Sequence, residues 1–210
     1  MTTTATCLVR WLGRLLSGGV LIVSSACSGP LDSVQYRAYL ADPTHGLTQT
    51  QESNGVHVTC TYRPVDLLIA QDLTGMPASG RSASDSLRQA YAGKTYCSLA
   101  LAKDSAAIEN QFAANPTAFT QTLSYLNTCI AADVFLVTTP HDSVPALASM
   151  YPRQYGNTQS STVLLIFDTR RLNLAQGFHI SFHSSALQLS SLRFSFPATT
   201  LASIPELKFH

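Results

Sequence analysis

The chain has 210 residues, 13 lysines and arginines against 12 aspartates and glutamates, and a charged fraction of 12%, well under the usual ~25%. Such a balance offers no basic field for nucleic acid or anionic lipid, so the surface must be solvated by hydroxyls and amides. About 180 residues follow the apolar N-terminal stretch, enough for one sizeable core and too few for two comfortable domains.

Residues 1–26 have the three parts of a secretory signal: Arg10 and Arg14 as a positive flank, an apolar run over 15–23 broken only by Ser17-Gly18-Gly19, and the small residues Ser24, Ser25 and Ala26. The run is shorter than the ~20 residues that a membrane span needs. The ending Ala26-Cys27 resembles the lipobox of bacterial lipoproteins, with Ser24 where leucine is commonest. That resemblance implies cleavage before Cys27, diacylation of its thiol with palmitate-type chains, and acylation of the new amine. It further implies an outer-membrane protein facing the periplasm, because Ser28-Gly29-Pro30 follows the cysteine with neither an aspartate nor an acidic run. Residues 27–30 then form a lipidated tether and 31–210 the domain. Each buried methylene adds about 0.8 kcal/mol, so two or three chains moor a domain almost permanently. With Arg10 and Arg14 gone, eleven basic side chains face twelve acidic ones.

Removing Cys7 with the signal and Cys27 to the lipid leaves Cys60, Cys97 and Cys129. An oxidising compartment allows one disulfide among them, in any of three pairings, with one thiol over. Three small buried hydrophobes is the competing reading. No two of them have the close spacing of a zinc site.

In chain order, Asp32 caps a helix over 31–42 that sets Tyr36, Tyr39 and Leu40 on one face and stops at Pro43. Asn54-Gly55 tolerates positive φ at both turn positions, which predicts a two-residue hairpin. Its register opposes Ser53 to Val56, Glu52 to His57, Gln51 to Val58 and Gln49 to Cys60. The first strand is polar on both sides and reads as an edge, able to accept a strand from a partner. Pro64 and Asp66 open a well-buried helix over 63–73. Ser82 and Asp85 box the start of another, which Gly93 stops. A strand follows over 95–102 with Cys97, Leu99 and Leu101 on one side, then a helix over 105–114. Asn115-Pro116 begins a helix spacing Phe119, Leu123, Leu126 and Ile130 over three turns. From residue 133 the pattern turns to β, with runs at 134–138, 146–151, 161–167, 178–182, 192–196 and 207–209. The fold class expected is α+β: a single domain, mostly antiparallel sheet with about four helices packed on one face, and a β-rich C-terminal half.

The run over 54–73, from Asn54-Gly55-Val56-His57 through Arg63-Pro64 to Asp72-Leu73, is one of three stretches that carry a family resemblance. The others are the strand with Tyr96-Cys97-Ser98-Leu99 and the ending Ile204-Pro205-Glu206-Leu207-Lys208-Phe209. Together they resemble small lipoproteins of Bacteroidota-type bacteria. The resemblance implies a shared fold and location but brings no activity and no functional residues.

Candidate sites are few. His179 and His183 sit at i and i+4 of a strand, on one face but about 13 Å apart, too wide for both imidazoles to hold one metal ion. His141-Asp142-Ser143 lacks triad geometry, since a triad is assembled from distant parts of a chain, and there is no G-x-S-x-G elbow. Arg63 with Asp66, and Asp168 with Arg170 and Arg171, offer anion-binding charge or simple local ion pairs. His57 and Glu52 form a cross-strand pair. No cofactor is implied. The expected function is a non-enzymatic, lipid-anchored domain that binds or scaffolds an envelope partner, touches the membrane through its lipid and takes no nucleic acid. One rival is a periplasmic hydrolase or metal-dependent enzyme using His141, His179 and His183; another is a carrier of a small apolar ligand, which needs a deep apolar cavity.

Overall fold

Asn54 and Gly55, at φ +52° and +75°, close the hairpin of β1 (Thr48–Ser53) and β2 (Val56–Tyr62), and every one of the predicted oppositions is present. The computed structural model describes residues 29–74, 81–138, 142–153 and 158–209. The signal, Cys27 and His141 lie outside these residues.

The domain is α+β with a β-rich C-terminal half, and among the described residues the paired strands are all antiparallel. The hairpin continues into β3 (Lys94–Lys103), which pairs on its far side with β8 (Ser161–Asp168) and at its end with the short β4 (Ala106–Ala107). Then β7 (Ala148–Met150) completes this first sheet. A second sheet runs β10 (Leu189–Pro197), β9 (Gly177–Ser184), β5 (Val134–Thr138) and β6 (Ser143–Pro145). The long strands β2, β3, β8, β9 and β10 each turn an apolar row inward, so each sheet has one face to hide, and the two hide each other. Val58, Cys60, Leu99 and Val163 of the first sheet join Leu136, Ile180, Phe182 and Phe194 of the second in one core. Tyr62 packs across the gap, 6.0 Å from the Phe178 ring and 6.1 Å from that of Phe196. Where residues 146–151 were expected to form one strand, the chain changes sheets at Ala146 and Leu147. Their N–H groups donate to Val134 O at 2.9 Å and Ile166 O at 2.7 Å, one in each sheet.

Helices close the flanks. Asp32 caps α1 (Ser33–Ala41) with a full capping box to Gln35. With Leu47, Leu67 and Leu207, Tyr36 and Leu40 form a second, smaller core. Here α2 (Val65–Thr74) contributes Leu67, while Tyr91 at the end of α3 (Arg81–Tyr91) meets Tyr96 edge-on at 5.4 Å on the outer face of the first sheet. The stretch over 105–114 is not the expected helix: Asp104 and Ser105 take positive φ, Ala106–Ala107 pairs with β3, and a single 3-10 turn over Ile108–Phe112 follows. The helix α4 (Pro116–Ser124) widens into a π turn at Tyr125–Cys129, which sinks Leu126 and Ile130 into the core. The expected last strand reduces to one parallel bridge, Leu31 to Leu207, tying the end of the domain to its start. The short α5 (Ala198–Ala202) precedes it.

Gly177 opens β9 at φ +82°, and a Cβ there would lie 2.5 Å from Phe196 O and 2.8 Å from Ala198 N. Both neighbours are backbone and cannot swing away. Gly177→Ala is therefore expected to cost about 2 kcal/mol, read as a lower urea midpoint with an unchanged slope.

Candidate functional site

The hairpin tip, the end of β3, the 3-10 turn, α4 and the β9–β10 turn meet at one end of the sandwich around an open cleft of about 580 Å³. Val56, Ile108, Phe112 and Leu187 make its apolar floor, with Thr122 and Tyr125 from α4 and the turn after it. Gln111, Gln121 and Gln188 stand on the exposed rim beside Lys103. Fixed backbone holds this rim: the Asn54 side-chain amide donates to Gln188 O, Gln188 takes φ +55°, and the Ser184 hydroxyl accepts the Leu187 N–H at 3.2 Å. Tyr125 donates its phenol to Asp133 Oδ2 at 2.7 Å, and burial holds its pKa far above the ordinary tyrosine value. It stays neutral through the physiological range. Each free amide offers two donors and an acceptor, and the floor offers apolar contact. The lining contains no carboxylate, histidine or cysteine, so among its titratable groups only Tyr125 and Lys103 face the cleft.

The residues singled out in the sequence lie elsewhere. On β9, His179 and His183 both point outward on the second sheet, with Ser181 between them. His179 borders a shallower groove of about 440 Å³ with Arg193 and Ser195. No three His, Cys, Asp or Glu residues come close enough to hold a metal ion among the described residues. Arg63 does not pair with Asp66; Arg88 of α3 takes that carboxylate at 3.3 Å. The Asp168 carboxyl accepts the Arg170 backbone N–H and two guanidinium N–H groups, which lower its pKa to about 2. That turn is a local ion pair. His57 and Glu52 face each other at 3.8 Å as the register requires.

Among the described residues, Cys60, Cys97 and Cys129 are free thiols. Cys60 and Cys97 point inward from paired strands and are fully buried, and burial, with Cys97 beside it, pushes the Cys60 thiol well up. Cys129 is exposed. One thiol of the mature native protein is expected to react quickly with an aromatic disulfide reagent, and the other two only on unfolding. Fast release of more than one equivalent would contradict this placement.

Sequence reasoning also missed a buried carboxylate. Glu109 is 4% exposed. It accepts the Tyr151 phenol at 2.6 Å and the Ser161 hydroxyl, while Ser161 Oγ accepts the Ile108 N–H at 2.9 Å. Hydroxyls alone satisfy it, and all lie within the fold, so this cluster braces the cleft's 3-10 turn.

Among the described residues no helix is long and apolar enough to cross a membrane. Compared with protein-family models, curated proteins and solved structures, the chain matches none.

Proposed function

We propose that the protein is a lipid-anchored envelope domain that binds its ligand without transforming it, moored through Cys27 and facing the periplasm. The ligand enters the cleft at the end of the sandwich and is a neutral molecule rich in hydroxyl or amide groups, of the size of one or two sugar units. The observation carrying this reading is the lining: three glutamine amides with no hydrogen bond inside the protein, among the described residues, above a floor of Val56, Ile108, Phe112 and Leu187. Amides pair with hydroxyls without a charge to desolvate, and an apolar floor accepts the C–H face of a sugar ring. A carrier of a purely apolar ligand would need the floor enclosed, whereas this cleft opens to water through its amide rim.

The test is a titration of ¹⁵N-labelled protein with N,N′-diacetylchitobiose, following the side-chain amide signals. Saturable shifts confined to Gln111, Gln121 and Gln188, and abolished by Phe112→Ala, are expected. Absence of any saturable shift would remove the sugar reading.

A further inference from the structure

A second, smaller pocket of about 190 Å³ lies on the opposite flank, between α1, the start of α2 and the β1–β2 pair. Its wall contains two arginines, Arg37 and Arg63, and no carboxylate. Neither makes an ion pair with any described residue, and the carboxylate nearest in sequence to Arg63, Asp66, is held by Arg88. The Arg63 Nε is out of water and has no hydrogen-bond partner. A half-buried guanidinium near a second one pays part of the desolvation cost as well as repulsion, and both burial and Arg37 pull the Arg63 pKa down. The polar wall does not relieve it: Thr48 donates its hydroxyl to Leu40 O at 2.7 Å and accepts the Thr61 hydroxyl at 2.9 Å, and neither threonine oxygen accepts the Arg63 Nε–H.

An anion between the two guanidinium groups replaces their repulsion by attraction and offsets the desolvation of Arg63. Two guanidinium forks present several N–H donors in the planar arrangement that suits a phosphate, sulfate or carboxylate group. The volume is below the ~300–1,000 Å³ of sites for whole drug-sized ligands, so it admits one such group.

We propose that this pocket binds a single phosphate-type oxyanion, gripped between the Arg63 and Arg37 guanidinium groups. Two sources share that chemistry: free phosphate, and the phosphodiester of a lipid headgroup. The headgroup source rests on the proposed Cys27 anchor, since Arg37 lies ten residues beyond it. The anion site itself does not depend on that anchor or on the cleft.

The experiment is calorimetric titration of the full mature protein, in low-chloride buffer and neutral detergent, with inorganic phosphate and with monomeric dihexanoyl phosphatidylglycerol. Saturable one-to-one binding of at least one probe is expected. It should weaken about tenfold or more in Arg63→Met, as loss of a charge-assisted pair implies, and several-fold in Arg37→Gln, an exposed position where folding is not at stake. Tighter binding of the lipid than of phosphate assigns the headgroup; the reverse assigns free phosphate. Failure of both probes to bind the unaltered protein, or unchanged affinity in Arg37→Gln and Arg63→Met, would overturn the site. Diacetylchitobiose binding in the same variants should be unaltered, which separates this outcome from the fate of the cleft.

Discussion

Ser161→Ala is expected to destabilise the protein by about 3 kcal/mol. The side chain is 1% exposed and serves two buried partners at once, accepting the Ile108 N–H at 2.9 Å and donating to the Glu109 carboxyl. Alanine fills the space but leaves a backbone donor and a carboxylate oxygen without partners. Each orphaned buried group costs about 1–3 kcal/mol, more where it is charged. Tyr151→Phe removes the other donor to the same carboxylate and should cost about half as much, because Tyr151 is only half-buried. The two losses should not add, since both act on one carboxylate. Urea unfolding followed by far-UV circular dichroism checks the two variants and their combination. A shift below about 0.5 kcal/mol for Ser161→Ala would mean that Glu109 is not held as described.

Gln49→Ala with Gln51→Ala should cost about 3 kcal/mol and make the protein associate. These residues face inward from β1, and each side-chain amide pairs with both backbone groups of one residue on β10. Gln49 accepts the Ser195 N–H at 3.1 Å and donates to its carbonyl; Gln51 accepts the Arg193 N–H at 3.2 Å and donates to its carbonyl. Ser53 continues the row, accepting the Ser190 N–H at 3.0 Å. Because β10 is the outer strand of the second sheet, the glutamines act as a surrogate strand along its open edge. Removing them frees four backbone groups of β10 and the Gly46 carbonyl, each bond worth about 0.5–1.5 kcal/mol, with the lower end apt for a half-exposed seam. The uncovered edge is then a template for a second chain. Size-exclusion chromatography should show dimers or larger species growing with concentration. A monomer of unchanged stability would contradict the proposed seam.

That seam also shows what sequence alone could and could not reveal. A first strand polar on both sides marked an edge strand correctly, and the Asn54-Gly55 turn determined its register to the residue. The partners of the Gln49 and Gln51 side-chain amides were not legible, because they lie some 140 residues further on. The same limit applies to the sheets. One-sided strands in β2, β3, β9 and β10 say that a face is buried but not by what, so helices were expected where a second sheet stands. Local signals with a local partner were legible: the Asp32 cap, the start of α4 at Asn115-Pro116, the inward face of Cys97, Leu99 and Leu101. Over 105–114, helical spacing of Ile108 and Phe112 lost to pairing of Ala106–Ala107 with β3, a tertiary contact outweighing a weak propensity. Asp66 lies three residues after Arg63, a fair ion-pair spacing, yet Arg88 from the next helix takes it. The cleft was invisible for the same reason, its amides coming from three separate segments.

Location is the hinge of the proposed function, which takes the domain to be moored outside the cytosol through Cys27. Mass spectrometry of the protein extracted from its own membranes measures this directly. The account predicts an N-terminal peptide that begins at Cys27 and carries two or three acyl chains. An unacylated chain that still begins at Met1 would contradict it.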